Sequence, residues 1–115
     1  MPKPFRLTVD LLKSVPLLCL SGDMILGQNL RELHDEVRDL AAEGHTRLVL
    51  DLTEVESADS TGIEALVDAK HALGEATSTV FLLRPSILVR NSLTLSGVTS
   101  MFEVVGSEPE LVRRL

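Results

Sequence analysis

The chain has no tryptophan and no tyrosine, and aromatic residues make up only 3% of it. Its core must be filled by Leu, Val, Ile and Ala, a composition that suits helices packed on a sheet. A single cysteine, Cys19, excludes an intrachain disulfide. It stands in the apolar run "VPLLCL", where a thiol reads as a small buried hydrophobe. A regulatory thiol is the alternative reading. One reduced cysteine fits a cytoplasmic home. Basic residues are outnumbered, with 11 Lys and Arg against 17 Asp and Glu and a net charge of −6. That balance argues against nucleic acid and against an anionic membrane surface, both of which call for clustered Lys and Arg. No apolar run approaches the roughly 18 residues of a transmembrane helix, so no membrane insertion is expected. The opening "MPKPFRLTVD" lacks the apolar centre of a secretion signal.

Several chemistries lack their motifs. His34, His45 and His71 are too scattered for a metal site, and there is no cysteine pair. No glycine-rich phosphate loop and no G-x-S-x-G elbow occurs. No metal, cofactor or catalytic residue is therefore expected, and the chain reads as something other than an enzyme.

The patterning that is present is regular. "FRLTVDL", 5–11, alternates apolar and polar residues as a half-buried strand does, with Phe5, Leu7, Val9 and Leu11 on one face. "SVPLLCLSG", 14–22, predicts a second strand, with Pro16 placing that end near an edge. The short link between them suggests a hairpin, although it contains no strong turn pair. "NLRELHDEVRDLAAEG" has helical spacing from Gln28 or Asn29 to a left-handed cap at Gly44. "TRLVLDL", 46–52, is a nearly continuous apolar strand, covered on both faces or central in its sheet. "TEVESA" reads as the link to a second helix over about 61–73. "STVFLL", 78–83, predicts a further strand. A Ser86 cap, a third helix and a stop at Gly97 follow. "MFEVV", 101–105, makes a last strand, and "SEPELVRRL" a short capped helix. Strands alternating with helices after a hairpin predict a single-domain α/β fold over 1–115. The expected architecture is a four- or five-stranded mixed sheet with about four helices, mostly on one face.

One stretch, "VESADSTGIEAL" at 55–66, holds an acid, two hydroxyls and a glycine at a strand-to-helix joint. "TGIE" fits a capping box, in which Thr61 caps the helix and Glu64 reaches back. Gly62 then serves a tight turn or a close approach. Ser60 is left over, just outside the helix, with a free hydroxyl. A phosphate there would add roughly −1.5 to −2 charges beside Asp59 and near Glu64, inverting the local surface while the fold stays intact. It would also stand at a helix N-terminus, which favours anions. Spacing alone favours the capping role and leaves the switch open. Glu64, Asp68, His71 and Glu75 form the outer stripe of this helix. That stripe is a solvated face, or a complement to a basic partner.

"LVLDLTEVESADSTGIEAL" resembles the signature segment of STAS domains, in particular the anti-sigma factor antagonists of bacteria. "LLCLSGDM" is similar to that family's second strand and its closing glycine, and "SILVRNSLTLSGVTSMFEVVGSEPELV" to its last helices and strand. Where the family often carries an Asp after the second-strand glycine, this chain has Ile25; where it often has Gly after the turn, this chain has Glu64. The resemblance implies a STAS fold and a phosphorylation-switched protein partner. By it, the chain binds an anti-sigma factor that is also a serine kinase, and so regulates sigma-dependent transcription. The kinase phosphorylates Ser60 to end binding, and a PP2C-type phosphatase resets the switch. Asp59, Ser60, Thr61, Gly62 and Glu64 are the expected partner-binding residues, in a monomer or weak homodimer. Two alternatives stay open: a scaffold or sensor STAS module in a larger signalling assembly, and a domain binding a nucleotide or small molecule at the same helix entrance.

Overall fold

The computed structural model describes all residues, 1–115. Five strands form one mixed sheet in the order β1-β2-β3-β4-β5. They are β1 (Arg6–Leu12), β2 (Val15–Met24), β3 (Arg47–Ala58), β4 (Thr79–Leu83) and β5 (Glu103–Val105). β1 pairs with β2 antiparallel, and every other pair is parallel. The helices are α1 (Arg31–Ala42), α2 (Ser60–Leu73), α3 (Ile87–Ser96) and α4 (Glu108–Arg114). The architecture expected from the sequence is thus the one observed.

Residue alternation along the strands divides the core between the two faces of the sheet. Leu18, Leu20, Leu48, Leu50, Leu52, Val80 and Leu82 point to one side, where they meet Leu33 and Val37 of α1, Ile63 and Leu66 of α2, and Val89 and Leu93 of α3. Val15, Val49, Phe81, Leu83 and Val105 point to the other, where Leu111 of α4 and the following Leu115 cover them. Three helices on one face and one short helix on the other leave part of that second face open. Cys19 lies there, half-buried rather than in the core as its apolar run suggested. Burial pushes its thiol pKa up, and the nearby charges of Asp51 and Asp10 add to this against a hydrogen bond with Thr8.

Helix ends follow local chemistry. Gly44 and Gly97 both have positive φ, and each ends its helix with a pair of backbone bonds from the residues beyond it: Gly44 to Ala41 and His45 to Leu40, Gly97 to Thr94 and Val98 to Leu93. Ser86 caps α3 through the Val89 amide. Ser107 caps α4 while the Glu110 carboxylate returns to the Gly106 amide, a reciprocal capping box. α1 begins later than its pattern suggests, after Leu30 and without a side-chain cap.

Three other expectations need correction. "TEVESA" is not a link: β3 runs on to Ala58 because β2 also continues, to Met24, and pairs with it through two register shifts. Pro16 does not mark a sheet edge. β2 is flanked on both sides, and its parallel ladder with β3 begins only at Leu17. The Leu7, Val9, Leu11 face of β1 is not uniformly half-buried; Val9 is 50% and Leu11 64% exposed, because the helical layer does not reach this edge.

Candidate functional site

The long β3 carries the chain to the C-terminal ends of the parallel strands, where α2 starts. The helix begins one residue earlier than the spacing suggested, and the cap is Asp59 rather than Thr61. Asp59 Oδ1 accepts from the Gly62 amide at 3.1 Å. A carboxylate is a stronger N-cap than a threonine hydroxyl, and it also opposes the positive end of the helix dipole. The second oxygen, Oδ2, accepts from the Leu26 amide at 2.9 Å, and the Asp59 amide donates to the Met24 carbonyl at 3.2 Å. One aspartate therefore starts the helix and ties down the loop that leaves β2. The Leu26 amide, foremost, holds its carboxyl below the usual carboxylate range; its slight burial opposes this, and the amides of Gly62 and Thr61 reinforce it.

Gly62 is buried, and the reason is close approach. A β-carbon built there would stand 1.9 Å from the Met24 carbonyl oxygen. The missing side chain lets α2 press onto the end of β2, so this glycine serves the chain's own packing rather than a ligand. Gly22, two residues before Met24 in β2, has φ of +90°, and a β-carbon built there would stand 2.1 Å from the Pro4 carbonyl oxygen. Nearby, Asp23 accepts from the Lys3 amide and from the Ser57 hydroxyl, which fixes the N-terminal segment to the same end of the sheet.

With the cap assigned to Asp59, Ser60 is the first residue of α2. It is exposed and its hydroxyl is uncommitted. Thr61 is half-buried and Glu64 is exposed one turn along. The outer stripe of Glu64, Asp68, His71 and Glu75 is exposed as its spacing predicted, and His71 pairs with Glu75 at 3.1 Å. Around Ser60 the surface is less polar than the motif suggests. Leu26, held beside Asp59, is 77% exposed. α3 lies along the end of β3, with the Ser86 hydroxyl on the Glu56 carbonyl and the Ser92 hydroxyl on the Ala58 carbonyl. Leu88 and Leu95, one turn to either side of Ser92, are both exposed. The end of the sheet that carries the exposed Ser60 hydroxyl therefore also carries three exposed leucines, Leu26 on the loop tied to Asp59 and Leu88 and Leu95 on α3. The sequence did not single them out, since isolated apolar residues on helices and loops carry no distinctive pattern.

No group of three or more His, Cys, Asp or Glu side chains is placed so that it could hold a metal ion. No helix is long and apolar enough to cross a membrane.

A hairpin leading into parallel strands, with a capped Asp-Ser-Thr-Gly turn at the sheet's C-terminal end, defines a class of small α/β domains. A family model described as "Mlab, STAS domain" matches residues 7–106, and the chain belongs to the STAS domain family. It is 26% identical over 102 residues to a Bordetella bronchiseptica protein named "Putative anti-sigma factor antagonist BtrV", covering 89% of this chain and 87% of that one. The fold is shared with an anti-sigma factor antagonist from Mycobacterium paratuberculosis, at a TM-score of 0.83 and 20% identity over 99% of this chain and 96% of that one. It is shared also with the anti-sigma factor antagonist SpoIIAA in its unphosphorylated form, at 0.78 and 16% over 95% of both chains. The phosphorylated form of SpoIIAA, a Bacillus cell fate determinant, matches at 0.70 and 18% over 96% of this chain and 97% of that one.

Proposed function

We propose that this protein is an anti-sigma factor antagonist whose binding is switched off by phosphorylation of Ser60. The observation that carries the reading is the division of labour at the turn. Asp59 does the capping, so the neighbouring hydroxyl has no structural task and stands in solvent. A dianion added there gains from the helix N-terminus and disturbs no core contact. It also stands against Asp59, which the Leu26 amide keeps ionised, and near Glu64. The unmodified face, with exposed Leu26 beside the turn and exposed Leu88 and Leu95 on α3, suits an apolar docking surface on the partner. The phosphorylated face opposes such docking by desolvation and by charge.

The partner is an anti-sigma factor of the serine-kinase type, and its capture by the unmodified protein frees a sigma factor for transcription. A PP2C-type phosphatase reverses the modification. In this role the protein is a kinase substrate and a binding module, acting in the cytoplasm. Asp59, Thr61 and Gly62 set the shape of the turn, while Ser60 and Glu64 present its surface.

Affinity for the anti-sigma kinase, measured by calorimetry, tests the reading. Ser60→Asp is expected to weaken binding by about tenfold or more, equivalent to about 1.4 kcal/mol, and Leu26→Asp to weaken it similarly. Equal affinity of wild type and both variants would refute the proposal. Recovery from lysate of other STAS proteins, and of no kinase, would favour a scaffold instead.

A further inference from the structure

The outer edge of β1 is the one strand edge on the hairpin side of the sheet, and its backbone is not fully capped. β1 and β2 are joined by Lys13 and Ser14, both with positive φ, in a tight two-residue turn closed by the pair Leu12 and Val15. In such a hairpin the closing pair exchanges hydrogen bonds, and every second residue from it does the same. Leu12, Asp10, Thr8 and Arg6 are therefore bonded to β2, and the amides and carbonyls of Leu11, Val9, Leu7 and Phe5 point outwards. Two of those four amides already have side-chain partners. Phe5 donates to Gln28 Oε1 at 2.9 Å, and Leu11 donates to Asp10 Oδ1 at 2.8 Å. Leu7 and Val9 remain, at the middle of the edge.

We infer that this edge pairs with the same edge of a second copy of the chain, antiparallel, with Thr8 facing Thr8 across a twofold axis. This register sets Leu7 opposite Val9 of the other copy and Val9 opposite Leu7. It uses the two free amides of each chain and neither of the occupied ones. Shifting the centre to Val9 would require the Leu11 amide, and shifting it to Leu7 would require that of Phe5. The same register sets Arg6 opposite Asp10 of the other copy, twice, at positions without backbone bonds, where side chains approach most closely. Opposite charges and paired threonines so placed are favourable cross-strand neighbours. Leu7 and Val9 of both copies meet on the other face, and Val9 is 50% exposed in the single chain. The product is a continuous ten-stranded sheet in which the two Ser60 turns lie at opposite ends and both stay open. The contact is small, so the dimer is weak and depends on concentration.

Sedimentation analysis over a series reaching millimolar protein tests this. Wild type is expected to move from monomer to dimer across the series. Arg6→Asp and Asp10→Arg each place like charges opposite one another twice, and each is expected to weaken association by about tenfold or more. The double variant R6D/D10R restores complementarity and is expected to recover dimerisation. An equimolar mixture of the two single variants is expected to form a heterodimer. In wild type the amides of Leu7 and Val9 should gain protection from exchange as concentration rises, while those of Thr8 and Asp10 are protected throughout. A wild type that stays monomeric, single variants that dimerise like wild type, or a double variant that fails to recover would overturn the inference.

Discussion

The two ends of α2 follow opposite electrostatic plans. At the C-terminal end, Lys70 is only 8% exposed. Its ammonium donates to the Ser78 carbonyl at 2.7 Å, the Ser78 hydroxyl at 2.8 Å and the Glu75 carbonyl at 3.1 Å, and lies 3.5 Å from the Gly74 carbonyl. The Ser78 hydroxyl in turn donates to the Gly74 carbonyl. A cation there meets the negative end of the helix dipole and closes the loop into β4. At the N-terminal end an anion, Asp59, meets the positive pole and closes the loop from β2. The difference lies in what remains. Every polar group of the Lys70 clasp is occupied within the fold. At the Asp59 end the hydroxyls of Ser60 and Thr61 are both surplus, and Ser60 is the exposed one of the two. A polar group with no internal partner, at an end where its neighbour already does the structural work, is where a modification can act without unfolding the domain.

That contrast can be broken in graded steps. Lys70→Ala removes the donor shared by the Gly74, Glu75 and Ser78 carbonyls and is expected to cost about 2–3 kcal/mol in chemical denaturation, while phosphate uptake by the molecules that stay folded is unchanged. Asp59→Ala removes the cap and the Leu26 tether together. It should cost about 1–2 kcal/mol and make the 24–28 loop exchange amides faster. The pH response of Asp59 has a defined sign. Its carboxyl titrates below its ordinary range when folded, so the ionised form stabilises the native state. That contribution is complete above the ordinary aspartate value of about 3.9 and is lost as pH falls through the lowered folded value. Asp59→Asn keeps an acceptor but cannot titrate, so wild type and variant should converge in unfolding midpoint only on acidification through that window. The smallest effect belongs to Ser60→Ala, which should alter stability by no more than about 0.5 kcal/mol.

Much of this design was legible in the sequence, because short-range chemistry decides it. Ser86, Gly97, Gly44 and Ser107 announce their caps by residue type and spacing, and the apolar runs at 46–52 and 78–83 do form the buried central strands. The misreadings arise where distant parts of the chain intervene. "TEVESA" is polar enough to be a loop, yet the continuing edge of β2 keeps it extended. Lys13 and Ser14 take a left-handed turn without the usual Gly or Asn, and no local signal gives that away. Lys70 drew no reading from the sequence, although a cation at the end of a helix before "GEATS" is a signal that a loop's carbonyls lie within reach. At the site itself the capping preference of Asp over Thr was available from the start. Applied to "DSTG", it moves the cap to Asp59 and frees both Ser60 and Thr61.

The account turns on the independence of the Ser60 hydroxyl from the fold. The most direct test is to phosphorylate the protein with the anti-sigma kinase proposed as its partner, locate the phosphate by fragmentation mass spectrometry, and compare thermal unfolding of the two forms. The account predicts a single phosphate on Ser60 and a cooperative transition with a midpoint within about 4 °C of the unmodified protein. Phosphate on Thr61 instead, or a phosphorylated form that loses cooperative unfolding, would contradict it.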